Sequence, residues 1–144
     1  MRSPSAGRAG RPHERPGRMI IGIGVDLCSV EHIGGVIERC GQRFLDRCFT
    51  EREQAECGTG PSMVKRYAAR FAAKEALMKA VGLGWTGGMR FIDVSVHHSE
   101  KGKPSLILEG FAAEYAAGLG ATSAHVTLSH EKDMAIAVVI LEGP

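Results

Sequence analysis

The stretch Arg70-Phe71-Ala72-Ala73-Lys74-Glu75-Ala76-Leu77-Met78-Lys79 lies inside the longest helical pattern of the chain, which we predict to run from about residue 63 to residue 81. Ser62 is a suitable N-cap for this helix, and Gly82 is a suitable residue to end it. On a helical projection Glu75 lies in the middle of the apolar arc. A lone carboxylate is costly to bury there unless a cation compensates its charge.

Lys79 follows Glu75 by one helical turn and is the nearest candidate for that cation. Two interpretations are open. In the first, Glu75 and Lys79 form a buried structural ion pair. In the second, Glu75 is a metal ligand, and Lys79 beside it binds a phosphate.

Length and composition restrict the class of protein. A chain of 144 residues with 44% hydrophobic residues is sufficient for one domain with a modest core. The net charge of +2 and the 6% aromatic content do not suggest a dedicated nucleic-acid binder, and no apolar run is long enough for a membrane span. The cysteines are too widely spaced for a zinc pair and fit buried or free thiols in a reducing compartment, which we expect to be the cytoplasm: Cys28, Cys40, Cys48 and Cys57.

The first eighteen residues differ in composition from the rest. Residues 1–18 are rich in Arg, Gly and Pro and contain little that could be buried, so we predict a disordered basic leader. Residues 19–144 are predicted to form the single folded domain.

The first core-like segment, residues 20–26, is predicted to be a strand that is buried on both faces. Its glycines, Gly22 and Gly24, begin a dinucleotide-binding pattern, but Leu27 stands where the third glycine is needed, so we reject that interpretation. Asp26 closes the strand. It is either a turn-capping residue or a second carboxylate that the fold brings to Glu75.

The rest of the chain predicts an α+β fold. A helix over 29–40 is followed by Arg39, Arg43 and Arg47 at four-residue spacing, which form a basic stripe if the helix continues. Such a stripe is either a solvated face or a surface for an acidic partner. Two short helices and four strands follow in addition to the long central helix. We therefore expect a largely antiparallel sheet packed on that helix.

Asp26 and Glu75 together suit a hard cation such as Mg²⁺, which usually completes its shell with phosphate oxygens. Several cations could hold those phosphates: Arg70, Lys74, Lys79, Lys103 and His130. A metal, a ring of cations and a weak base are the components of phosphoryl-type transfer. Three other histidines show no ligand spacing and are predicted to be strand or surface residues: His97, His98 and His125.

Four motifs, in this order and at these separations, carry a resemblance over residues 19–141: Gly22-Ile23-Gly24-Val25-Asp26-Leu27, Arg70-Phe71-Ala72-Ala73-Lys74-Glu75-Ala76 with Lys79, Gly102-Lys103-Pro104, and Val126-Thr127-Leu128-Ser129-His130. They resemble the motifs of holo-acyl-carrier-protein synthase, the small stand-alone type of phosphopantetheinyl transferase.

The resemblance implies transfer of the phosphopantetheine arm of coenzyme A to a serine of apo acyl-carrier protein, with release of adenosine 3′,5′-bisphosphate. Asp26 and Glu75 match the residues that hold Mg²⁺, and Lys79 matches a lysine that stabilises charge on the transferred phosphate. Residues matching those around coenzyme A are Arg70 and His130 at the 3′-phosphate, with Ser129 beside His130, and Gly102, Lys103 and Pro104 beside the adenine. Glu75 is also a candidate base for the carrier serine, acting directly or through a water.

The resemblance also implies partners. Small members of the family look like half of the longer, pseudo-duplicated transferases, so we expect a homotrimer with active sites at its interfaces. The acidic carrier protein would use Arg39, Arg43 and Arg47. His32 occupies a position where we expect an arginine that meets the carrier, which predicts weaker or pH-dependent docking.

Three alternatives stay open. A related transferase could modify the carriers of peptide or polyketide synthesis. The chain could be a non-catalytic module that binds coenzyme A or a nucleotide. It could also be a structural protein in which Glu75 and Lys79 are only an ion pair.

Overall fold

The computed structural model describes residues 17–85 and 88–144. The predicted leader, residues 1–18, lies outside the described residues apart from its last two. The described residues form strands β1 (Met19–Ser29), β2 (Val94–His98), β3 (Pro104–Leu108), β4 (Ser123–Glu131) and β5 (Met134–Gly143), and helices α1 (Val30–Cys40), α2 (Gln42–Cys48), α3 (Glu51–Cys57), α4 (Met63–Val81) and α5 (Gly110–Gly118). A short 3-10 turn, Phe91–Asp93, precedes β2.

The strands form two antiparallel units. One is a three-stranded sheet in the order β1-β5-β4, and the other is the β2-β3 hairpin. The long helix α4 packs on β1 and β5, and it also contacts α1, α3 and β2. The predicted α+β fold around one central helix is therefore confirmed. None of the helices in the described ranges is both long and apolar enough to cross a lipid bilayer.

Helix α4 has the predicted bounds, but its N-terminal cap and the burial of its basic side chains differ from expectation. It ends at Gly82, whose left-handed backbone (φ 72°) lets its N–H reach the last carbonyls. Ser62 does not cap it, because the backbone of Ser62 is itself helical and its side chain makes no capping bond. Arg70 and Lys74 are buried as fully as the alanines between them, since the sheet covers one side of α4, and α1, α3 and β2 also pack on the helix.

The two glycines of β1 let the strand touch the backbone of α4. A Cβ placed at Gly24 would lie 1.9 Å from the Ala76 carbonyl oxygen, and one at Gly22 would lie 2.1 Å from the Ala80 carbonyl oxygen. No side chain fits in these gaps. The Gly-x-Gly pattern is thus required by close strand–helix packing, which the sequence interpretation did not identify.

The other face of β1 is open. The prediction that this strand is buried on both faces is wrong for the single chain, because Ile23, Val25 and Leu27 are 50–62% exposed. They pair with Ile140, Val138 and Ile136 of β5. The side of the sheet away from α4 therefore carries an aliphatic surface, which we call the outer sheet face.

The predicted basic stripe is interrupted. Helix α1 begins after Ser29, which accepts a hydrogen bond from the His32 N–H as expected, but it ends at Cys40. Gly41 has φ 56° and ψ −141°, so the next helix starts in a new direction. Arg39 consequently lies on α1, whereas Arg43 and Arg47 lie on α2.

Candidate active site

The tight contact between β1 and α4 brings the predicted carboxylates to one place. Asp26 lies two residues beyond Gly24 on the same face of β1, opposite the turn of α4 that carries Glu75. Burial, together with the charges of Asp26 and Glu75, raises the pKa of the Cys28 thiol to about 11. Both carboxylates therefore act electrostatically on the same small region.

Lys79 pairs with Asp26 and not with Glu75. Its Nζ donates to Asp26 Oδ1 at 3.0 Å and to the Val25 carbonyl oxygen at 3.0 Å. The Asp26 side chain is 18% exposed and that of Lys79 is 57% exposed, so this pair borders solvent. The interpretation of a buried Glu75–Lys79 pair is wrong, because the amine reaches across to the strand.

Glu75 is half-buried, and its Oε1 accepts a hydrogen bond of 3.0 Å from the indole Nε1 of Trp85. Burial and the nearby charge of Asp26 raise the pKa of Glu75 above its usual value of 4.5, although Trp85 and Lys79 oppose the rise. The sequence interpretation did not identify Trp85, because no periodicity marks a tryptophan in a glycine-rich loop.

The donor set fits a hard divalent cation. Two carboxylates of like charge raise the local negative potential, and oxygen ligands are those that Mg²⁺ prefers. In the described parts of the chain, no three His, Cys, Asp or Glu side chains group together to hold a metal. Asp26 and Glu75 would thus supply only part of a coordination shell, and water or phosphate oxygens would supply the remainder.

Arg70 lies at a second polar cluster. Its Nη2 donates to Glu56 Oε2 at 3.0 Å and contacts His98 Nδ1 at 3.1 Å, while Glu56 also contacts His97 at 3.4 Å. Burial would raise the pKa of Glu56, but the bond from Arg70 and the His97 charge outweigh it and the pKa is lowered. A cavity of about 290 Å³ opens here, lined by Arg66 and by three of these residues.

This cluster changes two expectations. His97 and His98 lie on strand β2 as predicted, but they are not isolated there, since His97 is 5% exposed and contacts Glu56, and His98 contacts Arg70. Burial, followed by the charge of Arg70, lowers the pKa of His98. The Nε of Arg70 is buried and has no hydrogen-bond partner among the described residues. A buried guanidinium with one unsatisfied donor therefore lies beside this cavity.

Lys74 does not belong to the ring of cations. It is fully buried, its Nζ lies 2.8 Å from Glu53 Oε1, and it also donates to the carbonyls of Phe91 and Val94. Glu53 is equally buried and forms a capping box with Thr50. The prediction that Lys74 contacts phosphate is wrong, because the amine points into the core.

The remaining predicted coenzyme-binding residues lie on two separate elements. Gly102 and Lys103 form the turn of the β2-β3 hairpin, and Pro104 pairs with His98, which contacts Arg70. The turn is thereby linked to Arg70. Ser129 and His130 lie exposed at the end of β4, and His130 is level with Cys28 across β5. Within the described residues of one chain, no hydrogen bond joins these two residues to Arg70, Asp26 or Glu75.

The predicted carrier-facing residues are all on the surface. His32 lies on the first turn of α1, and Arg39 lies on its last turn. Both are exposed, as are Arg43 and Arg47 on α2. They are interspersed with Glu31 and Glu38, so the surface is less uniformly basic than the arginine spacing suggests.

Comparison with known sequences gives consistent results. The sequence profile of the 4′-phosphopantetheinyl transferase superfamily matches residues 22–139. The holo-[acyl-carrier-protein] synthase of Koribacter versatilis is 45% identical over 86% of this chain and 99% of its own length. That of Solibacter usitatus is 46% identical over 87% of this chain and its whole length.

Solved structures agree. The holo-[acyl-carrier-protein] synthase of Neisseria meningitidis is 35% identical and superposes with a TM-score of 0.76 over 85% of this chain and 98% of that chain. The holo-(acyl-carrier-protein) synthase of Bacillus anthracis, in complex with CoA (3′,5′-ADP), is 34% identical with a TM-score of 0.72 over 88% and 99% of the two chains. The chain therefore belongs to the holo-[acyl-carrier-protein] synthase family of the 4′-phosphopantetheinyl transferase superfamily.

Proposed function

We propose that this protein transfers the 4′-phosphopantetheine group of coenzyme A to a serine of an apo acyl-carrier protein and releases adenosine 3′,5′-bisphosphate. The observation that carries the proposal is the meeting of Asp26 and Glu75 at the β1–α4 contact, in a chain that matches these synthases over nearly its whole folded length. The serine oxygen forms a bond to the β-phosphorus of coenzyme A and gives up its proton to Glu75, directly or through a water. The bond from that phosphorus to the bridging oxygen breaks, and adenosine 3′,5′-bisphosphate leaves with that oxygen.

Asp26 and Glu75 would hold one Mg²⁺, which when bound would neutralise charge on the pyrophosphate of coenzyme A. Lys79 is placed beside Asp26 with its amine at the solvent border, so it can stabilise negative charge on the transferred phosphate. Burial and, to a smaller extent, the charge of Asp26 raise the pKa of Glu75, and a bound cation would offset both effects, which supports this assignment.

Arg70 is proposed to bind the 3′-phosphate of coenzyme A. Its support is the buried guanidinium with one unpaired donor at the edge of a cavity, beside the hairpin that ends in Gly102, Lys103 and Pro104. That turn would contact the adenine. Ser129 and His130 would complete the phosphate site from a neighbouring subunit.

We propose a homotrimer because a single chain leaves its outer sheet face uncovered and its coenzyme site incomplete. The outer sheet face exposes three large aliphatic side chains on an edge strand, which is unfavourable unless another surface covers it. The Ser129–His130 pair, at the end of β4, makes no hydrogen bond to Arg70 among the described residues of the single chain. Association of three copies through this face would cover the aliphatic residues and supply the missing groups.

The carrier protein is proposed to dock on α1 and α2. Arg39, Arg43 and Arg47 are exposed there and would steer an acidic partner, with His32 contributing a charge only when protonated. We place the protein in the cytoplasm, where free thiols such as its four cysteines persist.

Intact-mass spectrometry of the carrier tests the activity. Incubation with coenzyme A, Mg²⁺ and an apo carrier should add about 340 Da, the mass of the phosphopantetheine group, to one serine. Asp26→Ala and Glu75→Gln should each lower the rate by at least about 10²-fold, with chelation of Mg²⁺ giving a similar loss.

The same experiment distinguishes the proposed transferase from a non-catalytic binding module. A non-catalytic module that binds coenzyme A would retain coenzyme binding in all these variants and give no mass change with any of several apo carriers. That outcome would reject the transferase assignment.

A further inference from the structure

Trp85 is the only tryptophan of the chain and makes a specific contact with the candidate metal ligand. Its Nε1 donates to Glu75 Oε1 at 3.0 Å. An indole N–H is a donor only, so Trp85 can bind the carboxylate without competing with it for a cation. Within residues 17–85 and 88–144, Oε2 of Glu75 has no hydrogen-bond partner and is the oxygen free to bind a metal.

The indole is itself fixed by stacking. Its ring centroid lies 3.6 Å from that of Phe91 with the planes at 19°, and Phe91 stacks on Phe71 at 5.4 Å with the planes at 16°. Phe71 lies one helical turn before Glu75 on α4. The chain of contacts from Phe71 through Phe91 and Trp85 to Glu75 therefore begins and ends on the same helix.

We propose that Trp85 is a positioning residue, which orients the Glu75 carboxylate so that its free oxygen and Asp26 bind one divalent cation together. The inference rests on the proposed magnesium site and adds to it a residue that touches neither metal nor substrate. Hydrogen-bond partners of a ligating carboxylate fix its direction and thereby raise metal affinity.

Trp85→Phe is the appropriate variant, because it keeps an aromatic ring for the stack on Phe91 and removes only the N–H. Mg²⁺ is titrated by calorimetry into the protein loaded with coenzyme A, with no carrier present. We expect the dissociation constant for Mg²⁺ to rise by about 10–100-fold. The affinity for coenzyme A without Mg²⁺ and the melting temperature should change little.

Phe111→Leu is the matched control, since Phe111 stacks on Tyr115 at 5.9 Å and has no contact with Glu75 in the described residues. It should leave Mg²⁺ affinity unchanged. A role of Trp85 in packing alone predicts a lower melting temperature with unchanged Mg²⁺ affinity. If the dissociation constants for Mg²⁺ of the wild type and of Trp85→Phe agree within twofold, the inference is overturned and the transferase assignment stays intact.

Wild-type protein that modifies its carrier but binds no Mg²⁺ would overturn the magnesium site and this inference together. If Trp85→Phe binds Mg²⁺ more weakly than the wild type, and the wild type modifies no carrier, the positioning role is supported and the transferase assignment is rejected.

Discussion

Two adjacent residues of α4 have opposite surroundings. Lys74 is fully buried against Glu53, whereas Glu75 is half-buried near Asp26 and faces the candidate metal site. Neighbours on a helix point about 100° apart, so adjacent positions can serve the core and the site separately. The next two predictions separate a residue that stabilises the fold from one that serves the reaction.

Lys74→Ala should destabilise the protein by about 3–5 kcal/mol, because it leaves the Glu53 carboxylate buried without its cation. Urea unfolding measures the loss. The double variant Lys74→Met with Glu53→Gln removes both charges and keeps an amide oxygen for the capping bond to Thr50, so it should recover part of the stability, with affinity for coenzyme A unchanged. A double variant as unstable as Lys74→Ala would show that the charges themselves are not the cause.

Glu75→Gln should stabilise the metal-free protein near neutral pH. Burial and Asp26 raise the folded-state pKa of Glu75, so Glu75 favours folding below its ordinary pKa of 4.5, and this contribution is lost as pH rises through the folded-state pKa. The advantage of Gln should therefore vanish at about pH 4. Scanning calorimetry with a chelator measures both conditions.

Glu114→Gln on the exposed side of α5 is the matched control and should change the melting temperature little. Added Mg²⁺ should raise the melting temperature of the wild type more than that of the Gln variant. Metal-free Glu75→Gln that melts below the wild type near neutral pH would contradict the raised pKa.

At the scale of elements, the contact between β1 and α4 holds the site together. Gly22 and Gly24 let the strand lie against the Ala80 and Ala76 carbonyls, and this contact sets where Asp26 lies relative to Glu75. A change in the spacing of the two elements would move one carboxylate from the other without altering either.

Gly24→Ala should therefore cost at least about 1–3 kcal/mol and reduce transfer activity, since its Cβ would meet the Ala76 backbone and not a flexible side chain. Gly118→Ala on α5 is the control: it has open space around it, and alanine favours a helix. Thermal unfolding and carrier mass spectra measure both variants. Equal behaviour of the two would show that β1 can move away from α4 without cost.

Periodicity predicted the elements but not their surroundings. The span of α4, its end at Gly82 and the alternating strands depend on local sequence, and these predictions are confirmed. Which sides are covered depends on distant elements. The sequence therefore misplaced Lys74, whose partner Glu53 lies on α3. It also left open whether the first helix continues past Cys40, which the positive φ of Gly41 prevents.

The candidate site shows the same difference between features set by local sequence and features set by distant elements. Asp26 and Glu75 could be proposed from residue type and order, because a carboxylate ending a strand and one on a central helix are strong candidates. The Asp26–Lys79 bond and the Trp85–Glu75 bond could not, since both depend on the distance between separate elements. The roles assigned to Ser129 and His130 stay predictions.

At the scale of the whole molecule, the outer sheet face sets the assembly expected. Ile23, Val25 and Leu27 lie on an edge strand, and each is at least half exposed. Covering them would bring the end of β4, with Ser129 and His130, toward a second chain. A trimer with interfacial sites then predicts that damage in one subunit can be repaired by another.

Mixing subunits that carry Asp26→Asn with subunits that carry His130→Ala tests this directly. Each variant alone should be nearly inactive, because every site lacks one required group. In randomly mixed trimers, about a quarter of the sites would combine an intact Asp26 from one subunit with an intact His130 from its neighbour, so activity should return to about a quarter of the wild-type value. Light scattering should give three copies for each variant, and a mixture that stays inactive after subunit exchange would place both residues in one chain's own site.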